Sequence, residues 1–164
     1  MGLTDENRKT SMDLILWRHA EARPALEGEA DAERELTGRG TRQARLIAEW
    51  LVKRIEGRYD LLVSPALRTR QTAERLHHDF EVSAEIGTDS TARRMLKACG
   101  WPERTGTLIL VGHRPGLNRL ASLLMTGREG EWEMKKGSIW WFQSRGHGEP
   151  AALRAVIRPK DLQP

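Results

Sequence analysis

Apolar residues in this chain come in short unbroken runs and in stripes, and each form predicts a different element. Residues 12–17 (Met-Asp-Leu-Ile-Leu-Trp) make an apolar run too short for a helix, which predicts a buried strand. After Thr37 the pattern changes. Ala44, Ile47, Ala48, Leu51, Val52 and Ile55 recur at three- and four-residue spacing, with charged residues on the opposite face. This predicts an amphipathic helix with Thr37 as N-cap and Gly57 just past its end. Leu61-Leu62-Val63 predicts a second buried strand. The Ser64-Pro65 pair after it pairs a cap residue with a first helical position, so a helix is expected over 65–76. A strand over 80–86 and a short helix over 92–99, before Gly100, follow. Residues 107–111 (Thr-Leu-Ile-Leu-Val) predict another buried strand, broken by Gly112-His113, then a helix over 115–125 ending at Gly127. Two β-runs, 137–142 and 153–157, flank a turn-rich segment and predict a hairpin.

Strands alternating with helices imply an α/β three-layer sandwich: a mostly parallel central sheet, helices on both faces, and the C-terminal hairpin at the edge. The chain has 164 residues, which suits one domain, expected over 12–164. No internal repeat, low-complexity tract or linker suggests a boundary. Residues 1–11 are polar and are expected to form a flexible tail, with Met12 as an alternative start. That tail lacks the apolar stretch of a secretory signal, and no run approaches the roughly 20 apolar residues of a membrane helix, so no membrane partner is expected. Cys99 is the only cysteine and has no internal disulfide partner; a cytoplasmic location is the default expectation.

Lys plus Arg is 27 against 23 for Asp plus Glu, and the sequence pI is about 9.6. A basic surface draws in anions but does not choose among them. The charges are interleaved along the helix that starts near Thr37, as on a solvated face, and no aromatic residues punctuate a basic stripe. Nucleic acid is therefore not expected as a partner.

Chemistry concentrates where the three clearest strands end. In a parallel sheet, ligands bind beyond the carboxyl ends of the strands. Immediately after them stand Arg18-His19, then Ser64 through Arg68, then Gly112-His113-Arg114. Two histidines and two or three arginines thus converge on one rim. Arginine forks and helix N-termini suit phosphate, and imidazole suits nucleophilic attack or proton transfer. His19 and His113 have no compact metal-ligand spacing.

Four blocks then acquire a common meaning. They are Leu16-Trp17-Arg18-His19-Ala20-Glu21-Ala22; Asp31 with Arg34-Glu35-Leu36-Thr37, Gly40 and Gln43-Ala44; Val63-Ser64-Pro65-Ala66-Leu67-Arg68-Thr69-Arg70-Gln71-Thr72-Ala73; and Leu110-Val111-Gly112-His113-Arg114-Pro115-Gly116. In content and order they resemble the histidine phosphatase superfamily (phosphoglycerate mutase-like), and within it the short SixA-like phosphohistidine phosphatases. The resemblance implies that His19 is a nucleophile carrying a transient phosphoryl group. It implies that Arg18 and Arg68 hold the phosphate oxygens, that His113 completes the pocket, and that Arg34 lines it. It also implies a reaction without metal or organic cofactor, on a phosphorylated protein or a small phosphate-containing substrate.

Two departures stand out. Ala20 follows His19 where the superfamily's commonest motif has glycine. Larger members also place a carboxylate before the last catalytic strand, for which Glu85 and Asp89 are the general-acid candidates. Phosphohistidine in a partner protein is the expected substrate, because imidazole departs readily and the chain lacks long insertions to enclose a sugar phosphate. The alternatives are small phosphate esters or anhydrides, and more distantly a catalytically weak module that binds phosphate or nucleic acid.

Overall fold

The computed structural model describes residues 11–163; the tail expected over 1–11 lies outside the described residues apart from Ser11. Six strands form one sheet in the order β3-β2-β4-β1-β5-β6. They are β1 (Met12–Arg18), β2 (Tyr59–Val63), β3 (Glu81–Val82), β4 (Gly106–Gly112), β5 (Ile139–Gln143) and β6 (Ala152–Ile157). β3, β2, β4 and β1 pair in parallel, whereas β5 runs antiparallel to β1 and β6 antiparallel to β5. The mostly parallel sheet with a C-terminal hairpin at its edge is the architecture the pattern predicts.

Four helices cover the sheet: α1 (Gly38–Arg54), α2 (Leu67–Glu74), α3 (Ala92–Ala98) and α4 (Gly116–Thr126). β1 and β4 are apolar on both faces because each face supplies a separate core. Ile15, Trp17, Ile109 and Val111 pack with Ala44, Ile47, Ala48 and Leu51 of α1 and Ala73 of α2. Leu14, Leu16, Leu108 and Leu110 pack on the other face with Met95 of α3 and Leu117, Leu120, Ala121 and Leu124 of α4. Trp140 and Trp141 divide between the two, Trp141 buried on the first face and Trp140 half-buried on the second.

Thr37 caps α1 as expected, its hydroxyl accepting from the Gly40 amide at 2.9 Å, and Gly127 closes α4 with φ of 74°. Four expectations need correction. Val52, expected on the buried stripe of α1, is 61% exposed because its direction lies at the stripe's flank, beyond Ala48. The helix expected from Pro65 begins at Leu67, since the Ser64 hydroxyl is engaged by His113 rather than capping. It also ends at Glu74 rather than near Leu76. The strand expected over 80–86 shrinks to Glu81–Val82, because Ser83 caps a short 3-10 turn over Ala84–Ile86.

Candidate active site

Register alone brings the candidate residues together. Trp17 pairs with Val111, which pairs with Val63 on its other side, so the three strands end level. His19, Ser64 and His113 therefore leave the sheet at one rim. The exits are tied down by the His19 amide donating to Gly112 O and the Ser64 amide donating to Val111 O, both at 3.1 Å.

His19 is 7% exposed, and its Nδ1 lies 2.8 Å from the carbonyl oxygen of Ala20. A carbonyl only accepts, so Nδ1 carries the proton and Nε2 keeps its lone pair. The ring centroid of His113 is 5.3 Å away. Burial, opposed by the Ala20 carbonyl and reinforced by His113, Arg68 and Arg18, pushes the His19 imidazolium down to about 3. His113 is pushed down to about 4, again mainly by burial and then by Arg68. Both rings are neutral near pH 7, as a nucleophile requires.

Two arginines, Arg18 and Arg68, act on both rings, and a third, Arg34, is joined to Arg68 through Asp31. Arg18 donates from Nη1 to the Met134 carbonyl at 2.7 Å; burial and then Arg114 lower it to about 10, leaving it cationic at neutral pH. Arg68, in the first turn of α2, is 4% exposed and donates to the Asp31 carbonyl at 2.9 Å and to the Asp31 carboxylate at 3.0 Å. Arg34 donates to the same carboxylate at 3.0 Å and to Arg23 O at 2.8 Å. Asp31 thus bridges Arg34 and Arg68, and these contacts, Arg34's first, hold its carboxyl below the ordinary range. Sequence reasoning included Asp31 in a motif but gave it no role; its place three residues before Arg34 was the available signal.

The supporting shell is hydrogen-bonded to backbone. Ser64 Oγ and His113 Nε2 share a hydrogen bond of 2.7 Å. Thr72 Oγ1 accepts from the Ala20 amide at 3.1 Å and donates to Arg68 O at 2.7 Å, linking the loop after His19 to α2. The Gly137 amide donates to both Arg18 O and His19 O, at 3.1 and 3.0 Å, while Trp17 Nε1 donates to Gly137 O at 3.1 Å. Ala20 needs no glycine: among the described residues no non-glycine has positive φ. Arg18 Nε, Arg68 Nε and His113 Nδ1 are buried without hydrogen-bond partners.

The two acid candidates differ in placement. Glu85 is exposed, pairs with Arg94 at 3.1 Å, and lines a cleft of about 970 Å³ that holds none of the residues above. Asp89, also exposed, lines a cleft of about 420 Å³ together with Ser64 and Asp31. On the other side, Arg18 lines a cleft of about 540 Å³. Among the described residues no three His, Cys, Asp or Glu side chains gather as a metal-ligand set, and no helix is long and apolar enough to cross a membrane.

Comparison with known proteins gives this geometry a context. The family model of the histidine phosphatase superfamily (branch 1) matches residues 14–95. An uncharacterized protein of Picosynechococcus sp. is 33% identical over 144 residues, spanning 78% of this chain and 82% of that one. Among solved structures, the protein histidine phosphatase SixA in complex with tungstate superimposes with a TM-score of 0.76 at 23% identity, over 93% of this chain and all of the other. A SixA protein of Nakamurella multipartitia gives 0.74 at 24% identity, over 91% and 96%. At these identities the structural likeness is one of fold.

Proposed function

The chain belongs to the histidine phosphatase superfamily (branch 1), and from that membership we propose that it is a phosphatase acting through His19 on phosphohistidine in a partner protein. The observation that carries this reading is the state of His19. It is a neutral imidazole at a strand end, its Nδ1 proton committed to the Ala20 carbonyl and its Nε2 free, next to His113 and within the field of Arg18 and Arg68.

The chemistry follows from those groups. Nε2 attacks phosphorus as the bond to the substrate's nitrogen breaks, and the electron pair leaves with the substrate's imidazole. Arg18 and Arg68 face the charge on the equatorial oxygens, worth about 10²–10³-fold for each such donor. A water then attacks the phosphoryl group on His19, releasing inorganic phosphate and restoring the neutral ring. Imidazole leaves more readily than an alkoxide, so the absence of Glu85 from the cluster costs this substrate less than the ~10²–10⁴-fold a missing acid costs a poor leaving group.

The test is a phosphoenzyme trap on wild type and His19→Ala, in chelator, with an aryl phosphate and a phosphohistidine protein as donors. An acid-labile, alkali-stable adduct that vanishes in His19→Ala is expected, together with faster turnover of the phosphohistidine donor. Full activity in His19→Ala overturns the mechanism. Faster turnover of the aryl ester overturns the choice of substrate.

A further inference from the structure

The cleft of about 540 Å³ beside Arg18 carries much more charge than phosphoryl transfer needs. Seven of its lining side chains are basic and two are acidic. Besides Arg18, the cations are Arg39, Arg114, Lys135, Lys136, Arg158 and Lys160. They stand on separate segments: the start of α1, the turn after β4, the loop before β5 and the turn after β6. Some of this charge is met internally. Glu21 faces Arg39 at 3.5 Å, Glu133 pairs with Lys135, and Asp161 holds Arg158 at 2.7 Å. Among the described residues the side chains of Arg114, Lys136 and Lys160 make no salt bridge or hydrogen bond, although Arg114 lies in the field of Glu133 and Lys160 in that of Asp161.

The loop that carries two of these lysines is not free to swing away. Met134 is buried in the core, its carbonyl accepts from Arg18, and Gly137 is bonded to both Arg18 and His19. The backbone that carries the two lysines is therefore held at a fixed place relative to His19. We propose that this cleft docks an acidic segment of the phosphorylated partner, carboxylates beside the modified histidine meeting Arg114, Lys136 and Lys160; this rests on the phosphohistidine reading above. A second phosphate would call for a converging, buried fork such as Arg68. Exposed single lysines spread over several segments suit dispersed carboxylates instead.

The probe is a fluorescein-labelled peptide with a central histidine flanked by glutamates, compared with its glutamine counterpart. Anisotropy at low salt measures binding without requiring turnover. The glutamate peptide should bind about ten-fold more tightly, and added salt should erase the difference. Lys136→Glu/Lys160→Glu should abolish the preference. Lys53→Glu/Lys97→Glu, an equal charge change on exposed positions of α1 and α3, should retain it. Equal binding of the two peptides, or equal loss in both double variants, overturns the proposal. So does displacement of an aryl phosphate by tripolyphosphate that depends on Lys136 and Lys160 while the peptide preference does not, since that describes a second-phosphate subsite. His19-dependent turnover of the aryl phosphate is measured separately, so failure of the catalytic reading and failure of the docking reading are distinct results.

Discussion

Replacing Gly40 by alanine sets two physical effects against each other with opposite signs. Gly40 lies in the first turn of α1, and alanine there raises helix propensity by up to about 1 kcal/mol. A Cβ at this position, however, would lie 2.0 Å from the Glu21 carbonyl oxygen, 2.9 Å from its carbon and 3.0 Å from its nitrogen. The first contact is about 1 Å inside the 3.0 Å that real Cβ atoms essentially never breach. These are backbone atoms, and the same carbonyl accepts from the Thr37 amide at 3.0 Å, so neither side yields cheaply. Overpacking of this kind costs about 3 kcal/mol or more, which for a chain this size lowers Tm by about 6–12 °C. Gly38→Ala is the control. Its Cβ meets only the Arg42 guanidinium at 3.8 Å, and Tm should hold or rise by a few degrees, about 2–4 °C at most. Catalysis reports the same displacement, because Glu21 follows Ala20, whose carbonyl fixes the His19 tautomer. A 1 Å shift there should lower kcat about 10²-fold. Calorimetry and an aryl phosphate assay on both variants decide the matter. A Gly40→Ala protein as stable as wild type would refute the packing argument outright.

The pH dependence of stability carries a definite sign. His19 and His113 sit at about 3 and about 4 in the folded chain, below the unfolded value of ~6.5, so their contribution is intact above about pH 6.5 and is lost as pH falls toward 3. Calorimetric Tm between pH 7 and pH 3 should decline less steeply in His19→Gln than in wild type, and parallel curves would contradict the burial of a neutral ring. Ser64→Ala removes the hydroxyl bonded to His113 Nε2, with an expected cost of about 1 kcal/mol in stability and a roughly ten-fold lower kcat. Unchanged kcat would mean that Ser64 does not orient His113.

Much of this was legible from the chain because two signals coincided. β1 and β4 are apolar on both faces and β2 ends in the buried run Leu61-Leu62-Val63, so boundaries and burial come from the same residues; Arg18 closes β1, His19 and His113 follow their strands directly, and Arg68 lies in the first turn of the helix after β2. Gly40 appeared in the sequence as one letter of a motif; its reason, the backbone of Glu21, is a tertiary contact that periodicity does not encode. Ser64 shows the complementary failure. Ser-Pro signals a cap, yet the hydroxyl is claimed by a histidine 49 residues away and the helix starts later. Asp31 was half legible: its pairing with Arg34 three residues on is a local signal, whereas its bond to Arg68 on α2 is a tertiary contact. Glu85 was read from its position before β4, whereas its carboxylate is exposed and paired with Arg94.

The central position of β1 has a consequence for the order in which the molecule can be made. It is the first of the described strands in chain order, yet both of its partners come late, β4 beginning at Gly106 and β5 at Ile139. At ~5–20 residues per second, roughly 4–18 s pass between completion of β1 and the arrival of its first neighbour. Throughout that interval an uncharged stretch, Leu14-Ile15-Leu16-Trp17, has no strand to pair with, and the loop clamped on Arg18 and His19 arrives later still. The nascent chain therefore carries an adhesive segment unguarded throughout that interval, and holding chaperones should meet it there, at the strand that leads into His19.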